Sequence, residues 1–297
     1  MKNTRCGYIA IVGRPNVGKS TLLNTIMEQK ISITSKKPQT TRHQLLGIKT
    51  FNQAQFLYVD TPGIHSNEKK AINRYMNRNA RSVIRDVDAV IFVVDRGSWN
   101  KEDDLVAEAL AGQAGQLIIA VNKFDLITPR NRLLPVLEKL QARFPEAEVV
   151  PVSALKGENV EQLEKLIEKR IPYSEFYFPD DQVTDRTERF MVAEIIREKL
   201  MRQLGDEVPY AASIQIDRFE RTEKIVHIVA TIFVERAGQK AILIGAGGNK
   251  LKRIGIDARV DIEKLLASKV MLTNWVKVKS GWSDSERALK SLGYDPV

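Results

Sequence analysis

Gly13-Arg-Pro-Asn-Val-Gly-Lys-Ser20 places two glycines, a lysine and a hydroxyl at the spacing G-x-x-x-x-G-K-[ST]. That spacing can make a phosphate cradle if a strand precedes it and a helix follows. Gly13 and Gly18 let the backbone turn and approach closely, and loop N–H groups at a helix N-terminus attract anions. Lys19 would bring a point charge to the β- and γ-phosphates, and Ser20 a hydroxyl to Mg²⁺. The whole run Gly13, Arg14, Pro15, Asn16, Val17, Gly18, Lys19, Ser20 and Thr21 is the candidate phosphate segment. Taken alone, the motif could still be a chance glycine-rich turn.

Three further runs point to the same chemistry. Asp60, Thr61, Pro62 and Gly63 offer a carboxylate for Mg²⁺ and a backbone N–H for a γ-phosphate. Asn122-Lys-Phe-Asp125 offers Asp125 to the N1–H and 2-amino group of guanine, Lys123 as a stem along the base, and Asn122 as a tie to the phosphate loop. Adenine lacks those donors and would leave the carboxylate unpaired, which favours GTP/GDP over ATP. Ser153 and Ala154 can present backbone N–H groups to guanine O6. Between the first two runs lies Gln39-Thr-Thr-Arg-His43, where Thr41, favoured over Thr40, would complete the Mg²⁺ shell with Ser20 and Asp60. Lys19, Thr41 and Gly63 are the candidate catalytic groups. After Gly63 stands Ile64, where a water-orienting glutamine would be expected. A hydrocarbon cannot orient water, so another group, a cation or a partner must; His65 is adjacent and reads as a surface residue.

These runs need elements to hold them. Tyr8–Val12, Gln44–Phe51, Ala54–Asp60, Ala89–Asp95, Leu117–Asn122 and Glu148–Val152 read as strands, and Lys19–Met27, Lys69–Ile84, Asp103–Ala111, Asn131–Phe144 and Val160–Arg170 as helices. The alternation predicts an α/β fold, a mostly parallel doubly wound sheet with the motifs at the carboxyl ends of its strands. Domain boundaries are expected at 1–172, a linker at 173–186 that packs through Tyr173, Phe176 and Tyr177, and an α+β unit at 187–297. That unit reads as helix (Thr187–Leu204), strands (Ser213–Phe219 and Ile225–Val234), a helix pair (Ala241–Ala267), a strand (Val270–Lys279) and a tail helix (Ser283–Leu292).

In the second unit, Gly245, Ala246, Gly247 and Gly248 form a G-x-x-G loop followed by Lys250, Lys252 and Arg253. Such loops clamp single-stranded RNA in KH domains, although four residues alone fit a helix cap and turn as well. The order α-β-β-α-α-β around it is that of a type II KH domain. Residues 240–279 hold nine Lys or Arg against three Asp or Glu, whereas 181–239 carries a small acidic excess. The overall charge of +9 therefore concentrates a basic block on this loop and suits a polyanion. A solvated charged face is the plainer alternative. Cys6 is the sole cysteine, which excludes a disulfide framework and a cysteine-rich metal site. The apolar runs are too short to span a bilayer, and the N-terminus has no run of signal-peptide length. A cytoplasmic protein is expected.

From end to end the chain resembles the Era family of ribosome-assembly GTPases. The resemblance rests on Gly13–Ser20, Gln39–His43, Asp60–Gly63, Arg189-Phe-Met191, Glu194-Ile-Ile-Arg-Glu-Lys-Leu-Met201 and Trp275-Val-Lys-Val-Lys-Ser-Gly-Trp282. It implies a GTP-hydrolysing switch acting on small (30S) subunit maturation, with links to growth and cell-cycle control. The implied partners are the 3′ region of 16S rRNA and the small ribosomal subunit, with peripheral inner-membrane association and a monomeric state. It also implies that RNA stimulates hydrolysis, that a hydrophobic residue at Ile64 is normal, and that Asn16 could hold K⁺. The chain departs from the family at Ala246-Gly247, where a lysine is common. A nucleotide-gated RNA scaffold without appreciable turnover and a membrane-directed GTPase are the alternatives.

Overall fold

The computed structural model describes residues 4–64, 70–96, 98–205 and 208–294. The apolar runs become strands buried on both faces, as expected where helices cover a parallel sheet on either side. Along the chain come β1 (Arg5–Val12), α1 (Lys19–Ile26), β2 (Leu45–Phe51), β3 (Ala54–Asp60), α2 (Ala71–Arg85), β4 (Ala89–Asp95), α3 (Lys101–Ala109), β5 (Leu117–Asn122), α4 (Leu133–Arg143), β6 (Glu148–Val152) and α5 (Val160–Glu168). The sheet order is β2-β3-β1-β4-β5-β6, parallel except for β2, which pairs antiparallel with β3. Every residue of β4 and β5 is buried. Burial of each Val, Ile or Phe there contributes about 1.5–3 kcal/mol, so these strands anchor the loops at their ends.

The second unit runs α6 (Glu188–Gln203), β7 (Ser213–Arg221), β8 (Ile225–Val234), α7 (Ala237–Ile244), α8 (Asn249–Leu266), β9 (Lys269–Val278) and α9 (Glu286–Ser291). Its sheet β7-β8-β9 is antiparallel at β7–β8 and parallel at β8–β9. The α-β-β-α-α-β order is the one expected.

Element ends differ where caps decide them. α3 starts at Lys101, two residues early, because Asn100 and Asp103 form a reciprocal capping box. α7 starts at Ala237 rather than Ala241, because the Gln239 side chain accepts from the Glu235 and Arg236 N–H groups. Residues 65–69, including His65 and the expected start of α2 at Lys69, lie outside the described residues.

Residues 173–186 form a strap. Gln55, fully buried, accepts from the Tyr177 and Phe178 N–H groups at 2.9 and 3.0 Å and donates to the Phe178 carbonyl at 2.8 Å. Phe176 and Phe178 pack into the core, whereas Tyr173 and Tyr177 are exposed. Of the three aromatics expected to pack the linker, Phe176 alone packs against the core, partly buried; alternation along an extended segment turns its neighbours outward. The two units also touch beyond the strap. Trp282, Leu289 and Tyr294 pack on Ala71, Ile72, Tyr75 and Met76 of α2.

Candidate active site

β1 ends at Val12 and α1 begins at Lys19, so residues 13–18 form the loop between them. Gly13 and Gly18 have φ of 152° and 103°. A Cβ on Gly18 would meet Asn122 Nδ2 at 2.2 Å, and one on Gly13 the Val93 carbonyl oxygen at 2.5 Å. Both positions therefore demand glycine twice over, by conformation and by contact. A Cβ on Gly63 would meet Pro15 N at 2.8 Å, so the Asp60–Gly63 turn lies directly on this loop.

Four oxygens converge at the base of α1. Ser20 Oγ donates to Asp60 Oδ2 at 2.8 Å and lies 2.8 Å from Thr41 Oγ1. Ser32 Oγ donates to the same Asp60 oxygen at 2.9 Å. Asp60 Oδ1 is buried without a hydrogen-bond partner among the described residues. Burial pushes this carboxyl up, against the pull of Lys19 and the three hydroxyls. An orphaned carboxylate oxygen beside two hydroxyls is a hard oxygen set that fits Mg²⁺. Thr40 points elsewhere, with its hydroxyl 2.6 Å from Ser35 Oγ and donating to Lys37 O at 2.7 Å. Thr41, not Thr40, is the threonine beside Ser20.

Lys19 is buried and donates to the carbonyls of Gly13 (2.9 Å) and Arg14 (3.0 Å). Burial pulls its ammonium down to about 8, with Asp60 opposing. The Arg14 side chain turns away, to Asp103 Oδ2 at 3.0 Å and Ser98 Oγ at 3.2 Å. Val17 is core, and the Thr61 hydroxyl is spent on the Ile11 carbonyl. Ile64 is buried with Val12, Leu46, Val59 and Val94. Its side chain belongs to the core.

The base-recognition residues meet at the ends of β5 and β6. Asn122 Nδ2 donates to Val17 O at 2.7 Å, while its Oδ1 accepts from Lys123 N and Ala154 N at 2.8 and 3.0 Å. One amide so ties three loops together. Lys123 takes a left-handed conformation (φ 60°) and donates to Asn16 O and Asp95 Oδ2, both at 2.8 Å. Burial favours a neutral Asp125 carboxyl, but the Ser153 hydroxyl and the Lys156 ammonium, 3.4 Å away, outweigh it and hold the pKa below the usual range. Asn122, Lys123, Asp125, Ser153 and Ala154 line a cleft of ≈ 420 Å³ together with residues 34–37 and 39–41, with Leu155 exposed at its rim. Ser32, Asp95 and Lys156 were not singled out in the sequence. Asp95 ends a buried strand at the carboxyl edge, a position that could have flagged it.

In the second unit Gly245, Gly247 and Gly248 have φ of 73°, 58° and 78°. Beside them a groove of ≈ 410 Å³ runs between α8 and β9. Of the expected set it is lined by Gly248 and Lys252; Lys250 and Arg253 do not line it, while Arg259 and Asn274 do. Gly255 is the signal for this: a Cβ there would meet Asn274 Nδ2 at 3.1 Å, so a mid-helix glycine lets α8 approach β9. Among the described residues no cluster of three or more His, Cys, Asp or Glu could hold a metal, and no helix is long and apolar enough to cross a membrane.

Residues 8–123 match the family model of the 50S ribosome-binding GTPase, and residues 207–283 that of the KH domain. The GTPases Era of Pseudomonas putida (strain W619) and Ectopseudomonas mendocina (strain ymp) are 59% and 57% identical, over 98% of this chain and 97% of theirs. A crystal structure of Era with MgGDPNP and nucleotides 1506–1542 of 16S ribosomal RNA has a TM-score of 0.94 at 37% identity, covering 98% of this chain and 99% of that one. An Aquifex aeolicus Era variant bound to GDP and AlF4⁻ matches to the same extent. Fold and site together define a P-loop GTPase joined to a KH domain. Within that class, the chain belongs to the Era family and is a GTP-hydrolysing enzyme.

Proposed function

We propose that this GTPase is a switch that binds the 3′ region of 16S rRNA and acts in small-subunit assembly and maturation. One observation carries the reading: a guanine-nucleotide cleft and a glycine-lined KH groove stand in one chain, which at 37% identity matches an Era crystallised with MgGDPNP and a 16S rRNA segment. The proposed division is a G domain at 1–172, a strap at 173–186 and a KH domain with its tail at 187–297.

The roles proposed for the residues follow from their positions. Asp125, kept ionised by Ser153 and Lys156, accepts the guanine donors. Lys19 exchanges its carbonyl partners for β- and γ-phosphate oxygens as charge spreads over them in the transition state. The Gly63 N–H faces the γ-phosphate. Ser20, Thr41 and Asp60 would hold Mg²⁺, which neutralises phosphate charge when bound. With Ile64 in the core, orientation of the attacking water falls to backbone groups and to K⁺ held by the exposed Asn16. Replacing K⁺ by Na⁺ should then slow turnover; equal rates would retire the Asn16 role.

Gly248, Lys252 and Arg259 line the proposed RNA groove, where absent side chains admit the backbone and cations meet phosphates. The protein is proposed to work in the cytoplasm as a monomer, with peripheral inner-membrane contact secondary to RNA. The test is binding of a 16S 3′-end oligonucleotide by the full chain with GDP and with a GTP analogue, together with turnover with and without RNA. Nucleotide-dependent affinity and faster turnover support the switch. Indifference of both would sink it.

A further inference from the structure

The run Glu194-Ile-Ile-Arg-Glu-Lys199 lies on α6 of the KH domain, yet two of its charged side chains, Arg197 and Glu198, serve residues 30–41 of the G domain. Arg197 is buried at 2% exposure. Its Nε and Nη2 form a fork with the two Glu194 oxygens at 2.8 and 2.5 Å, and Nη2 also donates to the Thr40 carbonyl oxygen at 2.5 Å. That carbonyl belongs to the planar peptide unit whose other end is the Thr41 nitrogen. Fixing it fixes the plate from which the Thr41 side chain projects.

The next turn of α6 grips the same loop further back. Glu198, fully buried, accepts from the Thr34 N–H at 3.0 Å and the Lys30 ammonium at 2.5 Å. Arg202 donates to the Thr34 carbonyl at 3.0 Å and its hydroxyl at 2.9 Å. Beyond Thr41, the fully buried Arg42 donates to the carbonyls of Ala212, Pro209 and Tyr210 at 2.8, 3.0 and 3.0 Å. The KH domain therefore holds the loop on both sides of Thr41.

Stability alone does not account for this. A buried ion pair is a poor source of it, because apolar residues of similar volume pack as well or better. What Arg197 supplies is directed donors, one of them aimed at the peptide bond before Thr41.

We infer that Arg197 is a positioning residue for GTP hydrolysis, holding the Thr40–Thr41 peptide from the second domain so that the Thr41 hydroxyl stays with Ser20 and Asp60. The inference rests on the proposed role of Thr41 in the Mg²⁺ shell.

Its test uses the full chain and compares affinities for GDP and for a non-hydrolysable GTP analogue across a Mg²⁺ titration. Thr41 serves the shell when the γ-phosphate is present, so Arg197→Met should weaken the analogue by roughly tenfold, a usual size for coupling between sites. GDP affinity should stay unchanged, turnover should fall mainly in kcat, and Arg197→Lys should recover part of the loss. Equal losses for GDP and analogue, or no loss, would overturn the inference. Should Arg197→Met fail to fold, Arg202→Ala at a half-exposed side chain tests the same grip through Thr34. A selective loss supports the inference, and an equal or absent one overturns it. Thr41→Ala, run alongside, separates the layers. If it discriminates and the α6 variants do not, the positioning role alone fails. If it does not discriminate, the metal-shell reading fails and this inference with it.

Discussion

Lys19 donates to two loop carbonyls while burial pulls its ammonium down to about 8 from an ordinary 10.5. Between those values the folded chain binds fewer protons than the unfolded one. Lys19 therefore costs stability below about pH 8, and the cost is relieved as pH rises through the window. A bound phosphate places negative charge beside the ammonium and lifts its pKa again. Calorimetric titration of GDP in buffers of different ionisation enthalpy should show proton uptake at about pH 8.5 and almost none at about pH 6.5. Equal uptake at both would contradict this account. Asp125→Asn should cost GTP about 3 kcal/mol, roughly a hundredfold, and favour xanthosine triphosphate, measured by competition binding. At this scale the sequence was most informative where chemistry demands a fixed spacing. Gly13, Gly18, Ser20, Asp60, Asn122 and Asp125 were all legible. Ser32, Asp95 and Lys156 were not, because each acts through one contact that tertiary folding alone creates.

Strand runs and their order were readable because burial on both faces leaves unbroken apolar segments. Helix starts were less so, since a single capping side chain moves them, as Asn100 and Gln239 do. In the KH element the G-x-x-G loop was legible, but the groove wall was not. Arg259 and Asn274 stand on separate elements, brought together by the absence of a side chain at Gly255. Gly248 caps α8 in a left-handed conformation with open space around it. Gly248→Asp adds about 1–2 kcal/mol of backbone strain and a carboxylate where phosphate should pass. Filter binding should show weaker RNA retention with GTP affinity intact; loss of both would indicate misfolding instead.

Across the whole molecule the two domains are joined by a polar grip on residues 30–42 and by an apolar seat for the tail on α2. His43 stands between them, its ring stacked on Tyr294 at 4.4 Å and edge-on to Phe190 at 5.4 Å. Desolvation is the main reason its imidazole is pushed down to about 4; Glu194 opposes, and Arg197, Arg186 and Arg42 add to the shift. The folded chain thus keeps His43 neutral where the unfolded chain protonates it. The stability this contributes is complete above about pH 6.5 and is lost as pH falls toward 4. The urea midpoint should drop over that window, and His43→Phe should flatten the drop. An unchanged slope would remove His43 from the account. None of this docking was visible in the sequence, where His43 was one residue of a motif.

The strap has a different bearing on solution behaviour. β2 is the outermost strand of the large sheet, and its segment Leu45-Leu-Gly-Ile-Lys-Thr-Phe51 is largely apolar. Its outer side is occupied: Ile48 N donates to Val183 O at 2.9 Å, Gly47 bridges to Thr184, and Asp185 accepts from Leu46 N at 3.3 Å. A bare edge of this kind is a template on which another chain can add a strand. A G domain cut at residue 172 would carry that adhesive edge into solution, so residues 183–185 act as a built-in guard against aggregation as much as a connection between domains.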